Sequence, residues 1–294
     1  MSAVFKRSLI ATADTLENVL DKHLPKVVGH QAVIAEAMRY AAMGGGKRLR
    51  PFLLVETAAL LGQAGEGVWR AAAALECLHV YSLVHDDLPC MDNDDLRRGK
   101  PTVHKAYDDA IATLAGDGLL TFAFELMATA SDDPKITVNL MKNLAVASGV
   151  QGMIGGQVID ISVSEADRSE ALITELQNLK TGALIDFACH AGALLAGAGE
   201  NDIQAVRAYA RDMGLAFQIK DDILDTEGDA EVVGKAVGKD ANLGKATFVS
   251  ILGLEAARNR ASSLGEQAKL HLQAYGQDAE KLCAAVDFVL NRSH

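Results

Sequence analysis

The chain has 294 residues, of which 49% are apolar and 5% aromatic, and its net charge is -11. The length allows one large domain or two ordinary ones with a substantial core, and the apolar share excludes a disordered chain. The acidity argues against a nucleic-acid partner, which needs a basic face, although a local basic patch can still bind a small phosphate.

Ala and Leu dominate while β-branched and aromatic alternation is scarce, so helices are expected almost throughout. The opening MSAVFKRSLIATADTLEN carries acids early and lacks a long apolar core, which argues against a secretory signal. Cys77, Cys90, Cys189 and Cys283 form no CxxC pair, so a disulfide framework or zinc site is not expected and a reducing cytoplasm fits. No apolar run reaches the ~18 residues of a membrane span.

In chain order, 44-GGGKRLRP-51 reads as a loop ending in a proline at a helix start. The stretch 71-AAAALECLHVYSLVHDD-87 is apolar almost all round, which predicts a helix buried at the centre and stopped near Pro89. Asp86, Asp87, Asp92, Asp94 and Asp95 then crowd together, with Arg97 and Arg98 directly after them. An EF-hand is excluded, because 92-DNDDLRRGKPTV-103 lacks glycine at its sixth position and glutamate at its twelfth. Further on, Leu172, Leu176, Leu179, Ala183 and Phe187 draw one apolar stripe along 171–188, and 205–225 reads as a second buried helix. Whole buried helices need others around them, so the expected class is all-α, a single large-domain bundle over 1–294. The Gly- and Lys-rich segment 226–246 reads as a mobile lid.

A second acid cluster lies in 217-FQIKDDILD-225. On a helix, Gln218, Asp221 or Asp222, and Asp225 share one face. Two carboxylates ~4 Å apart in such apolar company repel by roughly 4 kcal/mol at an effective dielectric of ~20. A hard divalent cation relieves that repulsion, and Mg²⁺ characteristically takes one or two carboxylates, waters and substrate phosphates. A single acidic pair is usually a solvated helix face; two pairs, each ending an apolar helix, favour a metal site. Lys47, Arg48 and Arg50, then Arg97 and Arg98, then Lys180 interleave with these acids and suggest two phosphorylated ligands, one held through metal and one directly. A P-loop is excluded, since Arg rather than Ser or Thr follows Lys47. No Ser-His-Asp or Cys-His arrangement stands out, so the chemistry reads as metal-assisted with a diphosphate leaving group.

The runs 45-GGKRLRP-51, 83-LVHDDLPCMDNDDLRRGKPT-102, 155-GGQVID-160, 180-KTGALI-185 and 214-GLAFQIKDDILD-225, then 234-GK-235, resemble the trans-isoprenyl diphosphate synthases, most closely the bacterial farnesyl type. The resemblance covers nearly the whole chain and implies the isoprenoid-synthase bundle with a central active-site cavity. It further implies Mg²⁺, three ions per site, held by Asp86, Asp87, Asp92, Asp221, Asp222 and Asp225. Arg97, Lys180 and Lys235 would contact an allylic diphosphate, and Lys47, Arg50, His79 and Arg98 isopentenyl diphosphate. Thr181 and Gln218, with Lys180, resemble the catalytic groups near the reacting carbons. The implied reaction joins isopentenyl diphosphate to dimethylallyl or geranyl diphosphate through an allylic carbocation, in a homodimer. His79 alone, on an apolar helix, would read as an ordinary core histidine; the resemblance reverses that.

Tyr81 stands five residues before Asp86, where the resemblance implies an aromatic floor that stops a chain at fifteen carbons; five helical residues place it ~7.5 Å along the axis. Ser82 shares the face of Asp86 better, and a tunnel lined by Ser82 would allow a twenty-carbon product. Ala246 and Val249 depart from the family pattern near the end of the lid, and Arg292 is a basic residue near the C-terminus that could close over the site. Two other readings are a terpene cyclase or metal phosphohydrolase, disfavoured by the second basic set, and a silent partner subunit, disfavoured by two intact acid motifs.

Overall fold

The computed structural model describes residues 3–163, 169–227 and 247–292. Helix α4 (Glu66–Asp86) is its axis, with Ala71, Ala72, Ala73, Ala74, Leu75, Cys77 and Leu78 fully buried. Alanines on every side of that helix let its neighbours approach closely. They are α1 (Ala3–His23), α2 (Ala32–Ala42), α3 (Leu49–Leu60), α6 (Asp109–Met127) and α10 (Ala183–Leu195), with the short α5 (Val103–Ala106) against α6. The expected buried helix thus stands at the centre, and the class is all-α.

The chain continues through α7 (Pro134–Ser148), α8 (Met153–Ser162), α9 (Glu170–Gln177), α11 (Glu200–Glu227), α12 (Phe248–Leu252), α13 (Leu254–His271) and α14 (Glu280–Asn291). Helix α11 packs along α13 and buries Ala216, Ile219 and Ile223 with Phe248, Ala257, Ala261 and Leu264 in a second apolar cluster. The only described strands are Leu96–Arg97 and Lys100–Pro101, β1 and β2 of a small antiparallel ribbon.

One sequence expectation needs correction. The stripe over 171–188 is not a single α-helix, because a π-turn at Asn178–Gly182 separates α9 from α10. A π-turn inserts an extra residue into the helical frame and occurs often at functional sites; here it carries Lys180 and Thr181. Two stretches, α6 and 134–162, are long and apolar enough to cross a membrane by length and composition. Yet α6 buries Ala115, Leu119, Phe122, Ala123 and Met127 and packs on α4, while 134–162 is parted into α7 and α8 at 149–152.

Close packing sets a stability prediction. A Cβ added at Gly192 of α10 would lie 2.6 Å from the Leu54 carbonyl oxygen of α3. Backbone cannot yield cheaply there, so Gly192→Ala should destabilise the fold by about 1–3 kcal/mol, as overpacking does. Denaturant unfolding checks this; an unchanged midpoint would contradict it.

Candidate active site

Burying α4 on all sides forces its polar C-terminus into a sheltered corner. Asp86 and Asp87 end the helix, and the following turn folds back so that the Asp92 amide donates to the Asp86 carbonyl at 2.8 Å. The ribbon then turns through Arg98 and Gly99, both with positive φ (53° and 76°), as a type I′ hairpin requires. A non-glycine residue in that conformation is strained, and such strain gathers at functional sites. The ribbon sends Arg97 back onto Asp87, whose Oδ1 and Oδ2 each accept from Arg97 Nε at 2.8 Å. Burial works against the Arg97 charge, but the Asp87 hydrogen bonds outweigh it and hold its pKa above the usual value.

Two cavities meet beside this corner. The first, of about 510 Å³, is lined by Lys47, Arg48, Arg50, Glu76, Arg97, Arg98, Thr181, Gln218 and Asp221, among others. Arg98 crosses the loop before α3, donates to the Gly45 carbonyl, and fills the space that a side chain at Gly46 would need. Arg50 Nη1 lies 3.3 Å from His79 Nε2. A guanidinium can only donate, so that imidazole nitrogen accepts. Burial, reinforced by Arg50 and Arg98, lowers the His79 pKa well below the usual value and keeps the ring neutral. Arg50 Nε is buried without a hydrogen-bond partner, an orphan donor on the wall of a cationic cavity. Lys47 stands at the rim, 5.9 Å from the Phe288 ring centroid.

The second cavity, of about 470 Å³, shares Arg50, His79, Leu83 and Thr181 with the first. Asp86, Gln157 and Lys180 supply polar groups to its lining, while Leu120, Met153, Val158, Ile161 and Leu184 make the rest apolar. Both Tyr81 and Ser82 line it, so the choice between them as the facing residue dissolves. Tyr81 is buried and meets the His85 ring edge-on at 5.5 Å, while Ser82 Oγ donates to the His79 carbonyl.

The second acid motif divides. Asp221 faces the cationic cavity, and its Oδ1 accepts from Arg292 Nη2 at 2.6 Å; the Arg292 guanidinium also stacks 3.9 Å above the Phe217 ring. Asp222 instead is buried, and its Oδ2 accepts from the Phe248 amide at 2.7 Å at the start of α12. Asp225 is half-buried, one turn beyond Asp221 on α11. Lys235 and most of the proposed lid lie outside the described residues.

Among the described residues no three acid, imidazole or thiol groups converge tightly enough to hold a metal ion alone. The donors nevertheless fit Mg²⁺, which prefers oxygen and completes its shell with waters and substrate phosphates. Asp86, with Asp92 beside it, and Asp221 offer carboxylate oxygens at the two sides of the site. Sequence reasoning missed four structural supports: Gln157, Asp160, Glu76, and the role of Arg48. Arg48 Nη1 donates to Glu76 at 2.5 Å with both side chains buried, and Arg48 Nη2 donates to the Ala42 carbonyl. A lone acid in the apolar run AAAALECLHV was the available signal for Glu76.

The chain matches the polyprenyl synthetase family over residues 31–287. It is 41% identical to the farnesyl diphosphate synthase of Geobacillus stearothermophilus over 285 residues, covering 95% of each chain. It is 40% identical to geranylgeranyl pyrophosphate synthase 4 of Arabidopsis thaliana, covering 99% of this chain and 78% of that one. Its fold superposes on the apo crystal structure of an FPP/GFPP synthase from Zymomonas mobilis with a TM-score of 0.91 at 46% identity, covering 98% of this chain and 100% of that one.

Burial pushes the Asp86 carboxyl up to about 6, against the opposing pull of Lys180. An unfolded aspartate ionises near ~3.9, so between these values the folded protein binds the extra proton and the metal-free fold loses stability as pH rises. Above that window the Asp86 carboxyl is ionised and open to a cation, and below it the carboxyl is protonated. Mn²⁺ affinity, followed by electron paramagnetic resonance, should therefore weaken as pH falls from about 7 to about 5. Asp86→Asn should bind Mn²⁺ more weakly at neutral pH and lose much of that slope; an unaltered profile would contradict the assignment.

Proposed function

The chain belongs to the polyprenyl synthetase family and is a trans-prenyltransferase; on that premise we propose that it joins isopentenyl diphosphate head-to-tail to dimethylallyl or geranyl diphosphate. The main product on this reading is farnesyl diphosphate. One observation carries it: a cationic cavity and an apolar cavity meet at Arg50, His79, Leu83 and Thr181. A cyclase or phosphohydrolase needs no second diphosphate site, and a silent subunit has no use for two acid motifs.

The cationic cavity takes isopentenyl diphosphate through Lys47, Arg50 and Arg98, with neutral His79 beside Arg50. The orphan Nε of Arg50 then gains an acceptor, and bidentate guanidinium contacts fix the diphosphate directly. Asp86, Asp92 and Asp221 hold Mg²⁺ with the allylic diphosphate, and Asp87, Asp222 and Asp225 support or complete that set. Bound there, Mg²⁺ would supply positive charge to neutralise that building on the departing diphosphate. Arg97 and Lys180 stabilise the same charge, and Lys235 joins them from the segment after α11. Thr181 and Gln218 turn oxygen atoms toward the allylic cation that remains, and the apolar walls keep water from it. The isopentenyl double bond attacks that cation, and the proton lost goes to the departed diphosphate.

The prenyl tail lies in the apolar cavity, and Tyr81, held by the edge of His85, is the floor that limits it. Both relatives' names, farnesyl and geranylgeranyl, are compatible with this site, so the floor decides between them. The reading also includes a homodimer. Exposed Val138, Val146 and Val150, on α7 and just after it, line none of these cavities and are apolar side chains of the kind that associates.

Mass spectrometry of products made with Mg²⁺ and each allylic starter tests the proposal. A fifteen-carbon product lost with EDTA is expected, and Tyr81→Ala should shift most product to twenty carbons or longer. A twenty-carbon product from the unsubstituted protein would discard Tyr81 as the floor and keep the chemistry. No condensation from any starter would discard the synthase reading.

A further inference from the structure

The run 155-GGQVID-160 carries two polar residues, Gln157 and Asp160, that the proposed reaction does not use. They stand three residues apart on α8, so they share a face. Each grips a charged group in the lining of the apolar cavity. Gln157 Nε2 donates to Asp86 Oδ1 at 2.9 Å, and Lys180 Nζ donates to Asp160 Oδ2 at 2.6 Å. The register between α8 and the π-turn is fixed by contact, because a Cβ at Gly156 would lie 2.6 Å from Lys180 Cα. Gln157 and Asp160 therefore reach the site from one rigid surface.

Lys180 and Asp86 have opposite charge and line the same cavity. With no other partner the lysine's flexible stem would bring the ammonium onto the Asp86 carboxylate, the strongest attraction open to it in a sheltered site. The Asp160 side chain is only 14% exposed, so its ion pair with Lys180 is less screened than a surface pair.

We propose that Asp160 is a positioning residue that holds the Lys180 ammonium off Asp86, leaving the Asp86 carboxylate to a divalent cation and Lys180 aimed at the leaving diphosphate. The proposal rests on reading this cavity as the metal and allylic-diphosphate site. Gln157 completes the arrangement by orienting Asp86 through one oxygen and leaving the other to the metal.

The test uses Mn²⁺ alone, without substrate, on the full chain, with binding read by electron paramagnetic resonance. Asp160→Asn should weaken Mn²⁺ binding about tenfold, the scale of one rearranged charge-assisted hydrogen bond. In a Lys180→Gln background the same substitution should change Mn²⁺ affinity by less than about threefold, because no ammonium remains to displace the metal. Asp160→Glu, which keeps the carboxylate, should retain binding and serves as the folding control, with circular dichroism beside it.

Equal weakening in both backgrounds would overturn the proposal, since it would mean that Asp160 acts only through its own charge or through the fold. Unchanged binding in Asp160→Asn, or no Mn²⁺ binding by the unsubstituted protein, would overturn it as well. Because the readout needs no turnover, failure to condense isopentenyl diphosphate would count against the proposed function and leave this cycle to give its own answer.

Discussion

Asp86 and Asp87 close a helix whose central turns have no solvent face, and the molecule is arranged around keeping those two charges ionisable. Alanine on every side of α4 gives the packing its density, but it also delivers two carboxylates into a corner where burial, with the charges of Asp92 and Asp87 added and Lys180 and Arg97 opposing, raises the Asp86 pKa to about 6. Each carboxylate is met by a partner from a different element. Gln157 of α8 reaches Asp86, and Arg97 of the ribbon reaches Asp87. The same scheme recurs on α11, where Arg292 meets Asp221 and the Phe248 amide meets Asp222. Acids partnered in this way keep oxygens for a divalent cation, which they would bind alone with waters and more tightly once a diphosphate completes its shell.

The cationic side has the complementary problem. Arg48, Arg50, Arg97 and Arg98 crowd one cavity, and the buried Glu76 supplies a negative charge beneath them. Burial lowers the pKa of Arg50, and Glu76 is the largest charge acting in the other direction. The Arg48–Glu76 pair is structural: it ties the loop before α3 to the middle of α4 and to the end of α2. Removing one partner of such a pair costs about 3–5 kcal/mol, because the other charge is left buried and alone. Lys47 and Arg50 on either side of Arg48 are thereby set at the rim and the wall of one cavity.

Much of this was legible in the sequence. The all-round apolar character of 71–87 announced the central helix, and the repeated acid pairs at the ends of apolar helices marked residues that line the two cavities, Asp86 and Asp221. The π-turn was not legible, because the stripe through Leu176, Leu179 and Ala183 reads equally well as one unbroken helix; the backbone at Asn178–Gly182 reveals the inserted residue. Helical spacing put Asp221 and Asp222 on an equal footing, and tertiary contact separates them, turning one toward the cavity and the other toward α12. The opposition between Tyr81 and Ser82 came from treating the tunnel as a line along one helix face. The cavity is wide enough to touch both.

The central claim is that two diphosphates bind by different physics, one through arginine and lysine and the other through carboxylate-held metal. Calorimetric titration of isopentenyl diphosphate and of geranyl diphosphate, each with Mg²⁺ and with EDTA, tests it most directly. The account predicts that isopentenyl diphosphate binds under both conditions while geranyl diphosphate binds only with Mg²⁺. Equal dependence of both ligands on Mg²⁺, or binding of geranyl diphosphate unaffected by EDTA, would contradict it.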